Sequence, residues 1–487
     1  MNTPSYDSIE DEFTTIQIGD KRLNDRTKKL ALSFWSRPNH SIPGACRGKS
    51  ELEAAYRFFD NPLVTHEKIL QPHIEATIER IKQHPIVSLT QDTSEIWHYS
   101  SIEGLGDLND EYRRGYFLHP TVAFTLEGLP LGIVNSQVVV RDDDAEISSK
   151  HRNQKKIEDK ESFRWLQSYR IADQIAKDCP HTKIVSVGDR EFDIYECLAE
   201  AVLNESEVKA DLLVRAYHDR LCEDVDNPNA VEKLRKKVSR CPILTEIIVR
   251  TSKSIDKKPR NARVNVHAKS ILIRAPAHKK KQSNLRINIV FLEEVSPPSG
   301  DEPISWVLLT TLSIDSLEDI FTIIKLYVNR FKIEVFFRTL KSGCKVEEVR
   351  LQKIERVLPC LALYMVVAWR IMFFTMLGRN HPELPCTVLF DENEWQSVYI
   401  LVKQQKPPKE PPKLGELIMM IAHLGGHIAN SKKRPPGAEV MWRGLSVMRV
   451  AAMTREVIKR LEPSRNTIVN AYKAKKSGDK KSKKLRQ

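Results

Sequence analysis

The run LPCLALYMVVAWRIMFFTMLG, residues 358–378, constrains this 487-residue chain more than any other segment. So apolar a stretch must be hidden, either in a bilayer or at the centre of a fold. Its length approaches what a bilayer needs, but Arg370 inside it and Pro359 at its start favour a buried core helix. A chain this long is expected to form two or three domains around at least one large core. Hydrophobic residues at 41% and charged residues at 29% fit a globular chain and exclude a disordered one. The net charge of +13 favours polyanionic partners, nucleic acid first and an anionic membrane surface second. Cysteines stand at 46, 179, 197, 222, 241, 344, 360 and 386 without C-x-x-C spacing, which argues against a structural zinc site. The acidic, polar start MNTPSYDSIEDEF excludes a secretory signal, so reduced thiols in a cytoplasmic compartment are expected.

The texture changes along the chain. Residues 8–84 read as helical, with loops at RPNHSIPG and FDNPLVTHE. In GDKRLNDRTKKLALSFW, Arg22, Arg26 and Lys29 form a basic face beside Leu23, Leu30 and Phe34: a solvated amphipathic helix or a DNA-contacting one. PIVSLTQDTSEIWHY predicts a strand ending in polar residues, and HPTVAFTLEGLPLGIVNSQVVVR a hairpin turning at GLP. After the charged stretch RDDDAEISSKHRNQKKIEDK, a helix at SFRWLQSYRIADQIAKDC leads to strand, turn and helix in TKIVSVGDREFDIYECLAEAVL. ADLLVRAYH is a further short strand, and residues 225–310 have β texture, predicting a sheet inserted into an α/β domain. Helices resume at Ser316, KQQKPPKEPPKLG and SKKRPPG have linker composition, and the tail is rich in lysine.

Three acids stand out. Asp92 ends an apolar strand in SLTQDTS, Asp189 ends another in IVSVGDRE, and Glu334 lies in YVNRFKIEVFFRTLK. At about 100° per residue, Tyr327, Arg330, Glu334 and Lys341 share roughly one side of a helix. That side is either a surface stripe with an Arg330–Glu334 pair or a polar cluster facing a site. An Asp after a strand is, taken singly, a helix cap or turn former. Three acids brought together would repel one another, and two Mg²⁺ ions would relieve that repulsion and act on a phosphodiester.

These blocks resemble those of the DDE transposases of the insertion-sequence-four family, the hairpin-forming, cut-and-paste group of transposon five. GDKRLNDR and AAYRFFDNP resemble its end-binding region, and QDTS and VGDREFDI its two aspartate blocks. YVNRFKIEVFFRTLK reproduces its Y-x2-R-x3-E-x6-K signature, and LGGHIANSKKRPPGAEVMWRG its LGG…WRG segment.

The resemblance implies an α/β fold with an RNase H-like catalytic core interrupted by a β-sheet and flanked by helical regions. The expected division is an end-binding domain at 1–84, a catalytic domain at 85–402 with its insertion at 225–310, and a dimerisation and DNA-contacting region at 403–487. Asp92, Asp189 and Glu334 become catalytic ligands of two Mg²⁺ ions, with Mn²⁺ able to substitute. Tyr327, Arg330 and Lys341 hold phosphates of the transposon end, Arg215 lies near the site, and Trp306 stacks on a flipped-out base. Arg22, Arg26 and Arg57 are candidate end contacts, although Arg57 could instead brace its helix through Asp60. Glu191 and Asp193 are read as capping and charge-pairing residues. The implied activity is Mg²⁺-dependent cleavage and strand transfer by a homodimer on inverted terminal repeats and target DNA, in a bacterial cytoplasm and with no membrane partner. A non-catalytic DNA-binding derivative and a structure-specific two-metal nuclease are the alternatives.

Overall fold

Among the described residues a 3-10 helix at Ile9–Phe13 is followed by four α-helices: α1 (Lys21–Ser36), α2 (Ile42–Ala45), α3 (Lys49–Phe59) and α4 (His66–Ile81). Asp20 and Thr65 cap α1 and α4 by accepting from the backbone N–H groups of Arg22 and Lys68. The computed structural model describes residues 8–110, 112–141, 156–225, 230–250, 260–276, 282–428 and 435–461. Most of the charged 141–160 stretch, residues 431–434 of the SKKRPPG linker and the lysine-rich tail lie outside those residues.

The strands follow as β1 (Ile86–Gln91), β2 (Ser94–Trp97), β3 (Gly106–Asp107), β4 (Arg114–Thr125) and β5 (Pro130–Val139). Helix α5 (Phe163–Asp178) leads to β6 (Lys183–Gly188), α6 (Tyr195–Leu203) and β7 (Asp211–Arg215). Next come β8 (Leu221–Asp224), β9 (Glu232–Lys233), α7 (Leu234–Val238), β10 (Thr245–Arg250), β11 (Asn261–Ile273), β12 (Leu285–Glu294) and β13 (Ser305–Thr310). All thirteen belong to one sheet, in which β1, β6 and β7 are parallel neighbours and every other pairing is antiparallel. Strand β13 pairs with β7, then β12 with β13 and β11 with β12. The strands of 225–310 therefore do not form a separate sheet packed beside the core. They extend it edge to edge, because β7 would otherwise present an unpaired edge.

Helices α8 (Leu317–Arg330) and α9 (Lys332–Arg338) correct a second expectation. The signature segment is not one helix: it breaks at Phe331, and Lys341 falls in a following π-turn, Thr339–Gly343. Ser316 and Asp319 form a capping box that starts α8.

The apolar run becomes α10 (Ile354–Asn380), followed by α11 (Glu392–Lys403), α12 (Leu414–Leu424) and α13 (Ala438–Leu461). By length and composition α10 could cross a membrane, but 94% of its most apolar window is buried inside the protein. Its side chains join those of α1, α3, α4, α12 and α13 in a single core that also takes in Tyr116, Val122 and Phe124 of β4. A second core lies under α5 and α6, and a third under α8. All eight cysteines are free.

The LGG…WRG segment has a packing reason. A Cβ on Gly444 would sit 1.8 Å from the carbonyl oxygen of Ile421, and one on Gly425 equally close to that of Val440. The two glycines let α12 and α13 touch backbone to backbone. Gly444→Ala is expected to destabilise the chain by about 1–3 kcal/mol in a urea melt, the usual cost of overpacking.

Candidate active site

Strand β1 pairs with β4 on one register, and β2 resumes that same register along the same edge after a break at Asp92 and Thr93. Continuing the register sets Pro120, which has no N–H to donate, opposite Asp92. Strand β6 ends just there, with Val187 beside Thr90. Asp92 thus stands where one strand leaves its parallel neighbour, and Asp189 caps the turn after that neighbour, accepting from the Glu191 N–H at 2.8 Å. Gly188 permits this turn, since a Cβ there would lie 2.6 Å from the ring of Phe192.

Helices α8 and α9 bring the third acid. Arg330 Nη1 donates to Asp92 Oδ2 at 3.2 Å, and its Nη2 donates to Glu334 Oε1 at 2.9 Å. One guanidinium therefore ties Asp92 to Glu334, and Asp189 is close enough to add its charge to the surroundings of Asp92. Asn329 and Lys332 hold the α8–α9 joint against the β4–β5 turn through the carbonyl groups of Leu126 and Glu127. Beside the acids, Trp306 meets Tyr327 edge to face at 5.3 Å, and Phe331 lies 6.0 Å from Trp306. Arg215 reaches over Trp306 and interacts with Tyr327. Asp92, Asp189, Arg215, Trp306, Tyr327, Arg330 and Glu334 thus fall in one neighbourhood.

Lys341 is engaged elsewhere, pairing with Glu347 at 3.6 Å. Arg22 is exposed and pairs with Asp20, Arg26 is half-buried, and Arg57 is exposed. Asp60 is held by Arg356, so it does not brace Arg57 as the sequence allowed. Asp193 is buried against Arg220 and accepts from the N–H groups of Tyr217 and His218, a structural role. Glu191 pairs with Arg164 at 3.5 Å.

Sequence reasoning missed the polar chain beneath the acids. Arg164 Nε donates to Thr93 Oγ1, which donates to His119 Nδ1; His119 Nε2 donates to Gln91 Oε1, and Gln91 Nε2 to Ser186 Oγ. These directions follow from the partners' chemistry. Burial, aided by Arg164, holds the His119 pKa down to about 3, so the ring is neutral. The chain links β1 to β6 directly below Asp92. The polar residues flanking the acid in Q-D-T were its only trace in the sequence.

Burial pushes the Asp92 carboxyl up to about 7; Arg330 opposes this, and the neighbouring Asp189 and Glu191 add to it. A carboxyl raised in the folded state stabilises the fold below its unfolded pKa of about 3.9, and that stability is lost as pH rises towards the folded value. Thermal melts of the DNA-free, metal-free chain should therefore show the parent losing about 1 kcal/mol or more relative to Asp92→Asn between pH 4 and pH 8. Parallel pH profiles would contradict this.

The carboxylate oxygens suit a hard divalent cation in kind. Among the described residues, however, no three His, Cys, Asp or Glu side chains are gathered closely enough to hold a metal. The positive charge between Asp92 and Glu334 is that of Arg330.

Residues 6–64 match the transposase DNA-binding family, and residues 366–459 match the Tn5 transposase dimerisation domain. The cryo-EM structure of a piggyBac transposase synaptic complex with hairpin DNA is 9% identical, with a TM-score of 0.35 over 96% of this chain and 80% of that one. A likeness that loose carries no argument. The two family matches lie on either side of the acidic cluster in sequence, and what the chain resembles is a Tn5-like transposase.

Proposed function

We propose that the chain is a DDE-type DNA transposase. As a homodimer it binds the inverted terminal repeats of a mobile element, cuts the strands there with Mg²⁺ through a DNA hairpin, and joins them to target DNA. The observation that carries this reading is the bridging of Asp92 to Glu334, from opposite halves of the sequence, beside Asp189. An RNase H-like core is supported by the run of antiparallel β5, β4 and β1 into parallel β6 and β7. Two acids follow the carboxyl ends of parallel strands, the usual side for a site in such sheets. The proposed division remains end binding at 1–84, catalysis at 85–402 and dimerisation with DNA contacts at 403–487, acting at the nucleoid in a bacterial cytoplasm.

Drawn closer than they stand in the DNA-free chain, Asp92, Asp189 and Glu334 would hold the two ions, Mg²⁺ or Mn²⁺. Bound there, the ions supply an activated hydroxyl and stabilise the leaving oxygen of a phosphodiester. The chain's own groups do the positioning. Released from their carboxylate partners, Arg330 would fork onto phosphate oxygens and Lys341 would add a compact charge, while Tyr327 would add a hydroxyl. Arg215 steadies Tyr327 and Trp306, whose ring offers a face to an extruded base. The neutral His119 chain keeps β1 and β6 in register beneath.

The test uses duplexes carrying the inverted repeats that flank the reading frame. Binding should weaken steeply with salt, and replacing Arg22 and Arg26 together by Ala should flatten the slope of log K against log salt by about 2. An unchanged slope would return α1 to a solvated face. With Mg²⁺, cuts should fall at the repeat boundary; retention without cleavage marks a non-catalytic derivative, and cleavage without end preference marks a nuclease.

A further inference from the structure

Arg330 has two carboxylate partners and one donor left over. Its Nη1 serves Asp92, its Nη2 serves Glu334, and its Nε is buried with no hydrogen-bond partner. The residue is 6% exposed, lies over the ring of Phe331 at 4.4 Å, and ends α8 at the joint with α9. A buried guanidinium that satisfies two acids while leaving Nε bare is an incomplete arrangement, since an orphaned buried donor is costly.

We propose that Arg330 is a built-in counter-ion: in the DNA-free chain it holds Asp92 and Glu334, and a divalent cation gains both carboxylates only when a DNA phosphate draws the guanidinium away. This rests on the reading of Asp92 and Glu334 as metal ligands. The charges support the exchange. With both carboxylates ionised, the pair and one guanidinium carry a net negative charge; after the exchange, the carboxylates are matched by a divalent cation and the guanidinium by a phosphate. The bare Nε, with a released Nη, then forms the side-on fork that phosphate oxygens accept. The device orders the events: DNA first, metal second. Linkage makes it reciprocal, so metal must also tighten DNA binding by the same factor.

The test measures Mn²⁺ binding to the full DNA-free chain, by the loss of the free-ion paramagnetic resonance signal. Arg330→Ala, and the bulkier neutral Arg330→Gln, should tighten Mn²⁺ binding by about tenfold, within the usual range of coupling between linked sites. Arg338→Ala, which removes an exposed charge on α9, should not, and Asp92→Asn should erase the gain in the Arg330→Ala background. Adding duplex to the parent should reproduce the gain. If neither Arg330 variant gains more than Arg338→Ala while Asp92→Asn still weakens binding, the counter-ion is overturned and the ligand reading stands. If Asp92→Asn and Glu334→Gln leave Mn²⁺ binding unchanged in every background, the ligand reading falls and takes the counter-ion with it.

Discussion

Glu334→Gln is expected to abolish strand cleavage while leaving end binding nearly intact. The substitution keeps the shape and the hydrogen bond-accepting carbonyl but removes the charge. Losing one carboxylate of a two-metal site forfeits several kcal/mol of transition-state stabilisation, a fall in rate on the order of 10³-fold or more. Asp92→Asn and Asp189→Asn should behave alike, because all three act on the same step. End binding is the internal control: its contacts are assigned to the helices of residues 8–84, away from the acids in sequence. The measurement is paired, with gel retardation on terminal-repeat duplex and cleavage of the same end-labelled duplex in Mg²⁺. Cleavage retained at the parent's rate by any one variant removes that residue from the site. Loss of binding in all three would show that the changes act through the fold.

The second large effect separates steps of the reaction. A hairpin requires the transposon end to bend until a freed 3′-hydroxyl reaches the opposite strand. Trp306 would stack on the displaced base, and Tyr327 and Arg330 would hold its phosphate. Base–aromatic stacking is worth about 1–3 kcal/mol, so Trp306→Ala should spare the first nick and slow the hairpin step roughly tenfold to a hundredfold. Arg330→Ala should act at that step more severely, because a charge-assisted contact is lost. A time course on end-labelled DNA, resolving nick, hairpin and double-strand break, distinguishes the outcomes. Equal slowing of every step would leave Trp306 as a packing residue, in keeping with its contacts to Tyr327 and Phe331. A parent that yields no hairpin would dismiss the hairpin route and leave the two-metal chemistry standing.

Local features were legible in the sequence. The strands around Asp92 and Asp189, the β4–β5 hairpin with its turn at GLP, and the Arg330–Glu334 pair all follow from short-range pattern. The break at Phe331 was not, because that residue keeps helical dihedrals, φ −60° and ψ −11°, and leaves the hydrophobic period undisturbed. The joining of the 225–310 strands to β7 was equally hidden, since it depends on which distant edge β13 meets. The third partner of the Arg330 pair, Asp92, is a long-range contact with no local signature. So is the Arg164–Thr93–His119–Gln91–Ser186 chain, whose members come from four separate elements and one loop.

The shared core around α10 has a consequence during synthesis. Phe34, Phe58 and Phe59 of the opening helices are sealed by side chains of α10, among them Tyr364, which stacks on Phe34 at 4.5 Å. At a ribosomal pace of about 5–20 residues per second, the first helices emerge roughly 15–65 s before their cover does. For that interval the nascent chain carries unsheltered aromatic rings, the kind of transient apolar surface that favours aggregation until a chaperone or an early collapse covers it.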